Sequence, residues 1–371
     1  MKQHHFDKQD EARINLALNL VKKNIGITLS NPIVGSVLVK NNTIISTGVT
    51  GKNGVPHSEN IAIIKAGNNT KGSTLYVTLE PCCHQGKTPP CTDLIIESGI
   101  SRVVVAITDP DSRVNGLGIK KLQEAGIEVV VGVLQEQARK INCGFFSNKT
   151  SGRPFITLKL ATSLDGKIAT KNGDSKWITS EKSLQYSHYL RAKNDAILVG
   201  ANTLRKDNPM LNCRISGLES YSPKRIILSS SLDININSKI IQSAKQIPTY
   251  IVTNNSNTKE FVDLGLQIIE LSSLNNKVDL YELVKKLGNY DINNLLIEGG
   301  GNVATQFLKA KLVDKLIWIQ AAKIVGDDGI SGVKNLDINQ ISQSLEFKRT
   351  SVKDMGDDLV LEFVPQQNYC L

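Results

Sequence analysis

The sequence predicts an α/β protein with two domains, and three observations lead to this prediction. Short runs rich in Ile and Val alternate with helical patterns along the chain, which is typical of α/β layer architectures. The length of 371 residues suits two domains better than one. A small, polar stretch near residues 147–152 separates two alternating series and reads as a flexible linker. We therefore predict domains at residues 1–147 and 152–371.

The first series contains four predicted strands dominated by Val and Ile, the residues that strands favour. These strands are expected at residues 34–40, 74–78, 102–107 and 127–133. Helical patterns lie between or beside them, and the third ends at Gly126, a residue type that commonly follows a helix. The helices are expected at residues 59–66, 91–98 and 116–125.

The second series repeats this alternation without any internal repeat that relates the two halves. Its strands are expected at residues 155–161, 196–199, 225–228, 249–252, 267–271 and 294–297. Its helices are expected at residues 181–192, 278–287 and 303–310. The alternation of strand and helix again predicts an α/β layer architecture.

Composition excludes several classes of protein. Apolar residues make up 40% of the chain and charged residues 21%, as in ordinary globular enzymes. The longest apolar runs, such as residues 103–107, fall far short of the roughly 20 residues that a membrane helix needs. The N-terminus shows no apolar signal segment, which predicts a cytoplasmic protein without a membrane partner. Six cysteines do not form a disulfide framework in such a chain. Metal ligation is therefore the favoured interpretation of the clustered cysteines.

The net charge of +9 does not mark a nucleic-acid-binding surface. Residues 1–150 contain 17 Lys and Arg against 12 Asp and Glu, and the remaining residues contain 27 against 23. Because the excess is spread over both halves without a dense basic run, the sequence predicts no nucleic-acid partner. A mildly basic protein also suits phosphorylated small molecules.

The first half contains the residues of a catalytic zinc site. His57 opens a predicted helix, Cys82 follows a predicted strand, and Cys91 opens the next helix. Such a zinc ion takes three nitrogen or sulfur ligands and leaves its fourth position to water, so these three residues are the predicted ligands. Glu59 is the predicted proton shuttle, because zinc deaminases place a Glu two residues after the ligating His. The eight residues between the cysteines differ from the two of nucleic-acid deaminases.

Two other readings of these residues stay open at this point. The site could be purely structural, with Cys83 or His84 as the fourth ligand, but Glu59 would then have no chemical task. The cysteines could also be ordinary buried side chains, a reading that suits isolated residues such as Cys143, Cys213 and Cys370.

The second half contains a glycine-rich turn between a predicted strand and a predicted helix, Glu298-Gly299-Gly300-Gly301-Asn302. Consecutive glycines let the backbone approach a phosphate closely, and a helix N-terminus attracts the anion. A flexible turn without ligand accounts for the segment equally well on sequence alone. The dinucleotide fingerprint of Rossmann folds does not follow any predicted strand.

Three segments of the first half resemble the pyrimidine deaminase domain of the bifunctional riboflavin-biosynthesis deaminase/reductases. They are Asn31-Pro32-Ile33-Val34-Gly35, His57-Ser58-Glu59, and the stretch 81–91, which reads PCCHQGKTPPC. The resemblance implies a cytidine-deaminase-like three-layer domain whose substrate site includes Asn31, His84, Lys87 and Asp109. The family motif after Asp109 has an Asn where this chain has Asp111, and a carboxylate cannot donate as an amide does.

Segments of the second half, in the same order, resemble the reductase domain of that family, which has a dihydrofolate-reductase-like α/β fold. The resemblance implies that one set of residues binds NADPH: Ala161, Trp177, Thr203, Asp207, Ser230, Gly300, Gly301, Asn302, Val303, Ala304, Thr305 and Gln306. It implies that a second set binds the substrate: Ser175, Arg191, Leu211, Arg214 and Glu298. Trp177 could instead only fill the core. Asp207 is a candidate for proton handling, with Lys159 assisting.

The function implied is a pair of reactions with zinc and NADPH as cofactors. Deamination of 2,5-diamino-6-ribosylamino-4(3H)-pyrimidinone 5′-phosphate would precede reduction of its ribosyl side chain, giving 5-amino-6-ribitylaminouracil 5′-phosphate. The family resemblance also implies a homo-oligomer. Two alternatives remain: a zinc-dependent nucleic-acid base deaminase with an appended binding domain, and a non-catalytic interaction protein stabilised by zinc.

Overall fold

A computed structural model describes residues 6–22, 26, 28, 30–86, 88–176, 178–274 and 277–366. The chain divides into two units, Met1–Gly152 and Arg153–Leu371, which we call unit 1 and unit 2. Among the described residues, none of the helices has the length and apolar character that crossing a bilayer requires.

The described residues of unit 1 form one five-stranded sheet and six α-helices. The strands are β1 (Gly35–Lys40), β2 (Thr43–Val49), β3 (Thr74–Val77), β4 (Arg102–Val105) and β5 (Glu128–Val131). The helices are α1 (Lys8–Lys22), α2 (Ser58–Ala66), α3 (Cys91–Glu97), α4 (Leu117–Glu124), α5 (Gln135–Ile141) and α6 (Cys143–Ser151). Short 3₁₀ turns occupy Lys52–Gly54 and Gly67–Thr70.

The sheet of unit 1 has the order β2-β1-β3-β4-β5. Strands β2, β1 and β3 pair antiparallel, whereas β3, β4 and β5 pair parallel, with Leu75 opposite Val103. Val103, Val104 and Val105 are all fully buried. Because successive side chains of a strand point to opposite faces, both faces of the sheet are covered and the unit has three layers.

The topology of unit 1 places segments of its candidate site side by side at one edge of the sheet. The carboxyl ends of parallel strands meet at the same edge, so the segments after β3 and β4 lie side by side. Glu80 and Cys82 follow β3, and Asp109 follows β4. The carboxyl group of Glu80 accepts a hydrogen bond from the backbone N–H of Asp109, at 3.1 Å, which joins the two segments directly.

Unit 2 begins with β6 (Phe155–Thr162) and β7 (Lys167–Ala169). The strands that follow are β8 (Ala196–Gly200), β9 (Lys224–Leu228), β10 (Thr249–Thr253), β11 (Gln267–Glu270), β12 (Ser273–Leu274), β13 (Lys277–Val278), β14 (Asn294–Ile297), β15 (Lys315–Gln320), β16 (Ile330–Ser331), β17 (Phe347–Asp354) and β18 (Leu359–Pro365). The helices are α7 (Glu181–Lys193), α8 (Ala201–Asp207), α9 (Lys239–Gln242), α10 (Lys259–Asp263), α11 (Leu280–Gly288) and α12 (Gly301–Lys309). Short 3₁₀ turns occupy Glu219–Tyr221 and Ile341–Gln343.

Nine of these strands form one sheet in the order β11-β10-β9-β8-β14-β6-β15-β18-β17. The first seven pair parallel, and β18 and β17 extend the sheet antiparallel. The parallel strands therefore end at one shared edge, where Gly200, Ser229 and Glu298 follow or close neighbouring strands. This edge is where open α/β sheets place their ligands.

The flexible linker predicted at residues 147–152 is wrong, because residues 143–151 form α6. Phe145 and Phe146 are almost completely buried in the core of unit 1, and they hold the polar residues after them in the helix. The helix ends at Gly152, which adopts the left-handed conformation with φ +66°. The break between the two units follows immediately, at Arg153.

Candidate functional site

The three predicted zinc ligands come together in unit 1. His57 caps the N-terminus of α2, Cys91 is the first residue of α3, and Cys82 lies on the loop after β3. The His57 Nδ1 atom lies 3.2 Å from the Cys91 sulfur and 3.5 Å from the Cys82 sulfur. One ligand atom from each residue falls within 4.8 Å of the others. This donor set and spacing fit a tetrahedral zinc ion with one position left for water.

The electrostatics of the triad favour a thiolate. A hydrogen bond with Cys91, and a second with His57, outweigh burial and lower the pKa of Cys82 to about 4. The same contact with Cys82, together with burial, raises the pKa of Cys91. Cys82 is therefore favoured as a thiolate, while Cys91 keeps its proton. Because zinc binds cysteines in their deprotonated form, a bound zinc ion would favour the thiolate of both residues.

Glu59 lies in the first turn of α2 and is 4% exposed. Burial raises the pKa of its carboxyl group, although His57 opposes the shift. The Ser58 hydroxyl donates a hydrogen bond to Glu59 Oε2 at 2.8 Å, and the hydroxyl groups of Ser36 and Ser58 lie 2.7 Å apart. Sequence reasoning missed both serines, and their only signal was that Ser58 adjoins Glu59.

Three of the residues predicted to bind the substrate in unit 1 come from segments before or between the predicted zinc ligands. Asn31 donates through Nδ2 to the carbonyl oxygens of Thr28 and Asn53, each at 3.2 Å, so its amide is held by the backbone. His84 is half-buried on the loop between Cys82 and Cys91. Lys87 lies outside the described residues.

Asp109 and Asp111 have different surroundings although they are two residues apart. Asp109 is buried, and this burial raises the pKa of its carboxyl group to about 6. Asp111 accepts two hydrogen bonds from the Arg113 guanidinium, at 3.0 and 2.7 Å, and pairs with Lys149 of α6 at 2.9 Å. These contacts hold the pKa of Asp111 below its usual range. The carboxylate that replaces the family's Asn is therefore committed to an ion cluster.

In unit 2, Arg191 of α7 and Glu298 form a nearly buried bidentate pair. Two guanidinium nitrogens lie 2.9 Å from the two carboxylate oxygens, and Lys159 Nζ lies 3.8 Å from Glu298 Oε2. Burial alone would raise the pKa of Glu298, but Arg191 and Lys159 outweigh it and lower the pKa to about 2. Burial also lowers the pKa of Lys159. These three predicted residues therefore form one cluster of interacting charges.

The loop after α8 contacts α7 through the carbonyl group of Asn212. The Asn212 carbonyl oxygen accepts from Arg191 at 3.2 Å and lies 3.1 Å from His188 Nδ1. Arg214 lies on this loop and donates to Asn212 Oδ1 at 3.3 Å. The side chain of Leu211 is buried in the core. Sequence reasoning missed His188, whose signal was its position one turn before Arg191.

The glycine-rich turn between β14 and α12 is shaped by close packing. A Cβ atom at Gly299 would lie 2.6 Å from Cβ of Val303, and one at Gly200 would lie 2.9 Å from Cγ2 of the same residue. Val303 and Ala304 are buried. The Thr305 hydroxyl donates to the Gly301 carbonyl and accepts from the Lys334 N–H.

The other predicted cofactor residues fall at or near the same edge of the sheet. Ala161 lies near the end of β6, Thr203 and Asp207 lie on α8, and Ser230 follows β9. Burial raises the pKa of Asp207. Gly300 caps α12, whose residues Asn302 and Gln306 are exposed. Ser175 lies on the loop between β7 and α7, and Trp177 lies outside the described residues.

Two family models match the chain, one in each unit. Residues 7–107 match the cytidine and deoxycytidylate deaminase zinc-binding region. Residues 154–361 match the RibD C-terminal domain, which is more than half of the chain. The first match includes the whole predicted zinc motif, and the second includes the glycine-rich turn.

Relatives cover nearly the whole chain. The riboflavin biosynthesis protein RibD of Aquifex aeolicus is 45% identical over 95% of this chain and 98% of its own length. A solved structure of Acinetobacter baumannii RibD matches 97% of this chain and 99% of its own, with a TM-score of 0.90 and 34% identity. The diaminohydroxyphosphoribosylaminopyrimidine deaminase/5-amino-6-(5-phosphoribosylamino)uracil reductase of Thermotoga maritima matches 96% and 98%, with a TM-score of 0.85 and 35% identity. The chain therefore belongs to the RibD family of riboflavin biosynthesis, bifunctional enzymes that join a zinc-binding deaminase domain to an NADPH-dependent reductase domain.

Proposed function

We propose that this chain deaminates 2,5-diamino-6-ribosylamino-4(3H)-pyrimidinone 5′-phosphate and then reduces the ribosyl side chain of the product. The Thermotoga maritima relative is a deaminase and reductase of this substrate class. Residues 1–147 carry the deaminase in this proposal, and residues 152–371 carry the reductase. We also propose, from the family resemblance, that the protein is a homo-oligomer in the cytoplasm. Its substrates in this proposal are small molecules rather than nucleic acid.

One observation carries the deaminase assignment: His57, Cys82 and Cys91 form a metal-ligating cluster with the buried Glu59 beside it. A zinc ion held there supplies an acidified water molecule near neutral pH. Glu59 accepts the water proton as the oxygen bonds to the amino-bearing carbon. The same carboxyl group then donates a proton to the departing nitrogen, which leaves as ammonia. Asn31, His84, Lys87 and Asp109 bind the substrate in this proposal.

The reductase assignment places the phosphorylated sugar near Arg191, Arg214 and Glu298. NADPH supplies hydride, which adds to C1′ of the open imine form of the substrate. A proton completes the reduction at the nitrogen, and Asp207 or Lys159 is the group that handles it. The raised pKa of Asp207 and the lowered pKa of Lys159 both bring these groups closer to neutral pH, where proton exchange is efficient.

The Arg191–Glu298 pair orients the reductase site, because both partners are held in one geometry by two parallel hydrogen bonds. The remaining predicted positions have defined roles in the proposal. Ser175 and Leu211 contact the substrate. The backbone of residues 300–306, with Ala161, Trp177, Thr203 and Ser230, binds the dinucleotide, and the N-terminus of α12 faces its phosphates.

A single assay tests the two reactions together. Purified, zinc-loaded protein is mixed with the diaminopyrimidine ribosyl phosphate and NADPH, and ammonia release and NADPH oxidation are followed in the same tube. We expect both signals, with oxidation delayed until deamination supplies its substrate. Ammonia without oxidation would contradict the reductase assignment. Neither signal from folded protein would contradict the substrate and reopen the nucleic-acid base as a candidate.

Replacing Arg191 with Lys should lower kcat/KM for the reduction by roughly 10- to 100-fold, because a lysine cannot form the bidentate pair with Glu298. The measurement is NADPH oxidation with substrate that has already been deaminated. Ammonia release should not change. Arg349→Lys, on the exposed face of β17, is the matched control and should leave both activities unaltered. Unchanged reduction in Arg191→Lys would remove Arg191 from the site.

A further inference from the structure

Glu80 is a buried carboxyl group that the proposed reaction does not use. It lies between the end of β3 and Cys82 and is 3% exposed. Among the described residues it takes part in no ion pair with a lysine, arginine or histidine. An isolated buried carboxylate is costly unless hydrogen bonds replace its hydration, so its partners are informative.

Those partners are four backbone N–H groups from a single neighbouring segment. Oε2 accepts from Asp109 at 3.1 Å and from Gly116 at 2.9 Å. Oε1 accepts from Gly118 at 3.0 Å and from Ile119 at 3.1 Å. The carboxylate therefore contacts Asp109, which lies four residues after the end of β4, and the N-terminus of α4, so it links two points of the segment that joins β4 to α4.

The packing around Glu80 leaves little room for this segment to move. A Cβ atom at Gly118 would lie 2.2 Å from the Pro81 carbonyl oxygen and 3.1 Å from Glu80 Oε1, so only glycine allows this approach. The first turn of α4 thus lies directly against the residue that precedes Cys82. The positive N-terminal end of the helix also favours a carboxylate at this place.

We propose that Glu80 is a positioning residue for deamination, which holds the Asp109 loop in register with the zinc-ligand loop through its four backbone hydrogen bonds. The inference rests on the proposed function, in which Asp109 binds the pyrimidine substrate. Glu80 itself does not touch the substrate in this scheme. Its effect passes through Asp109, whose own N–H it binds and whose Oδ1 accepts from Asp111 N–H at 2.8 Å.

An amide cannot do the work of this carboxylate. Glutamine offers one acceptor oxygen, and its NH₂ group would face N–H donors that have lost their partner. In Glu80→Gln we therefore expect KM for deamination to rise roughly 10- to 100-fold, the range that small misplacements of substrate-binding groups cause. Zinc content and NADPH oxidation with deaminated substrate should not change. A merely structural loss would reduce the active fraction, which lowers kcat and leaves KM unaltered.

Two measurements separate positioning from general loosening. Amide hydrogen exchange of residues 109–119 should accelerate in Glu80→Gln, while exchange in β3 and β4 stays slow. We expect Asp109→Asn to raise KM by itself. When Glu80→Gln is added to Asp109→Asn, KM should increase little further. Glu97→Gln, an exposed change on α3, is the matched control and should alter neither readout.

Each failure has its own meaning. Unchanged exchange at residues 109–119, or effects of Glu80→Gln and Asp109→Asn on KM that simply multiply, would overturn the positioning role alone. An unchanged KM in Asp109→Asn would overturn the proposed substrate site, and the positioning role with it. Should Glu80→Gln fail to fold, Glu80→Asp keeps both acceptor oxygens at a shorter reach and should show the same pattern more weakly. An unchanged KM in a folded Glu80→Asp protein would also overturn the inference.

Discussion

Glu59→Gln should lower the rate of ammonia release by roughly 10²- to 10⁴-fold, the usual contribution of a positioned general acid–base group. The glutamine amide matches the carboxyl group in size, but it cannot accept the water proton or return it to the leaving nitrogen. Because Glu59 does not belong to the triad of ligand atoms, bound zinc should remain. The measurement combines ammonia release with zinc content by atomic absorption.

The reductase of the same chain serves as the internal control for this experiment. NADPH oxidation with deaminated substrate should proceed at the unaltered rate in Glu59→Gln. Glu136→Gln is a matched variant, since Glu136 also lies in the first turn of a helix of unit 1, α5, but is exposed. It should release ammonia normally. Full ammonia release by zinc-loaded Glu59→Gln would show that another group moves the proton.

Arg225→Met should destabilise unit 2 by roughly 3–5 kcal/mol, because it leaves several buried acceptor oxygens without a donor and each such loss costs about 1–3 kcal/mol. Arg225 lies on β9 and is completely buried, and burial lowers its pKa to about 10. Within the described part of the chain, its guanidinium donates only to uncharged oxygens, at distances between 2.7 and 3.2 Å. These are the Thr249 and Ser243 hydroxyl oxygens and the carbonyl oxygens of Met210, Ile240 and Ile247. Methionine fills a similar volume but leaves those acceptors short of donors.

Tryptophan fluorescence during guanidinium denaturation can measure this effect in one unit. Both tryptophans of the chain, Trp177 and Trp318, belong to Arg153–Leu371, so their signal reports the unfolding of unit 2. Arg349→Met, at an exposed position of β17, should change the unfolding free energy by less than about 0.5 kcal/mol. A change below about 1 kcal/mol in Arg225→Met would contradict the structural role of the buried arginine.

Local patterns in the sequence were enough to predict the alternating strands and the three residues that form the metal-ligating cluster of unit 1. The strands predicted at residues 102–107 and 294–297 are β4 and β14, because a short, buried apolar run is visible in the composition of the segment itself. The three candidate zinc ligands could be proposed from the sequence because metal ligation depends on residue type and spacing. The resemblance to the riboflavin-biosynthesis deaminase/reductases is confirmed by relatives over nearly the whole chain.

Other features were missed because their local pattern is weak. Strand β17 is mostly exposed and rich in charged residues, so it lacks the apolar run of a buried strand. It pairs with β18 and is the last described strand of the nine-stranded sheet. Helix α6 was taken for a linker because five small or polar residues follow Phe146, and the burial of the two phenylalanines, which favours the helix, is not visible in that local pattern.

The sequence by itself determined the α/β class, the two halves and the set of candidate zinc ligands, because each of these is visible in residue type, periodicity and short motifs without knowledge of which side chains meet. Only the tertiary structure decided what the other polar groups do. Asp111 meets Lys149, Arg225 meets Ser243 and Thr249, and Glu80 meets four N–H groups between Asp109 and Ile119. A polar side chain takes its role from the partners that burial forces on it, and folding brings those partners from distant parts of the chain.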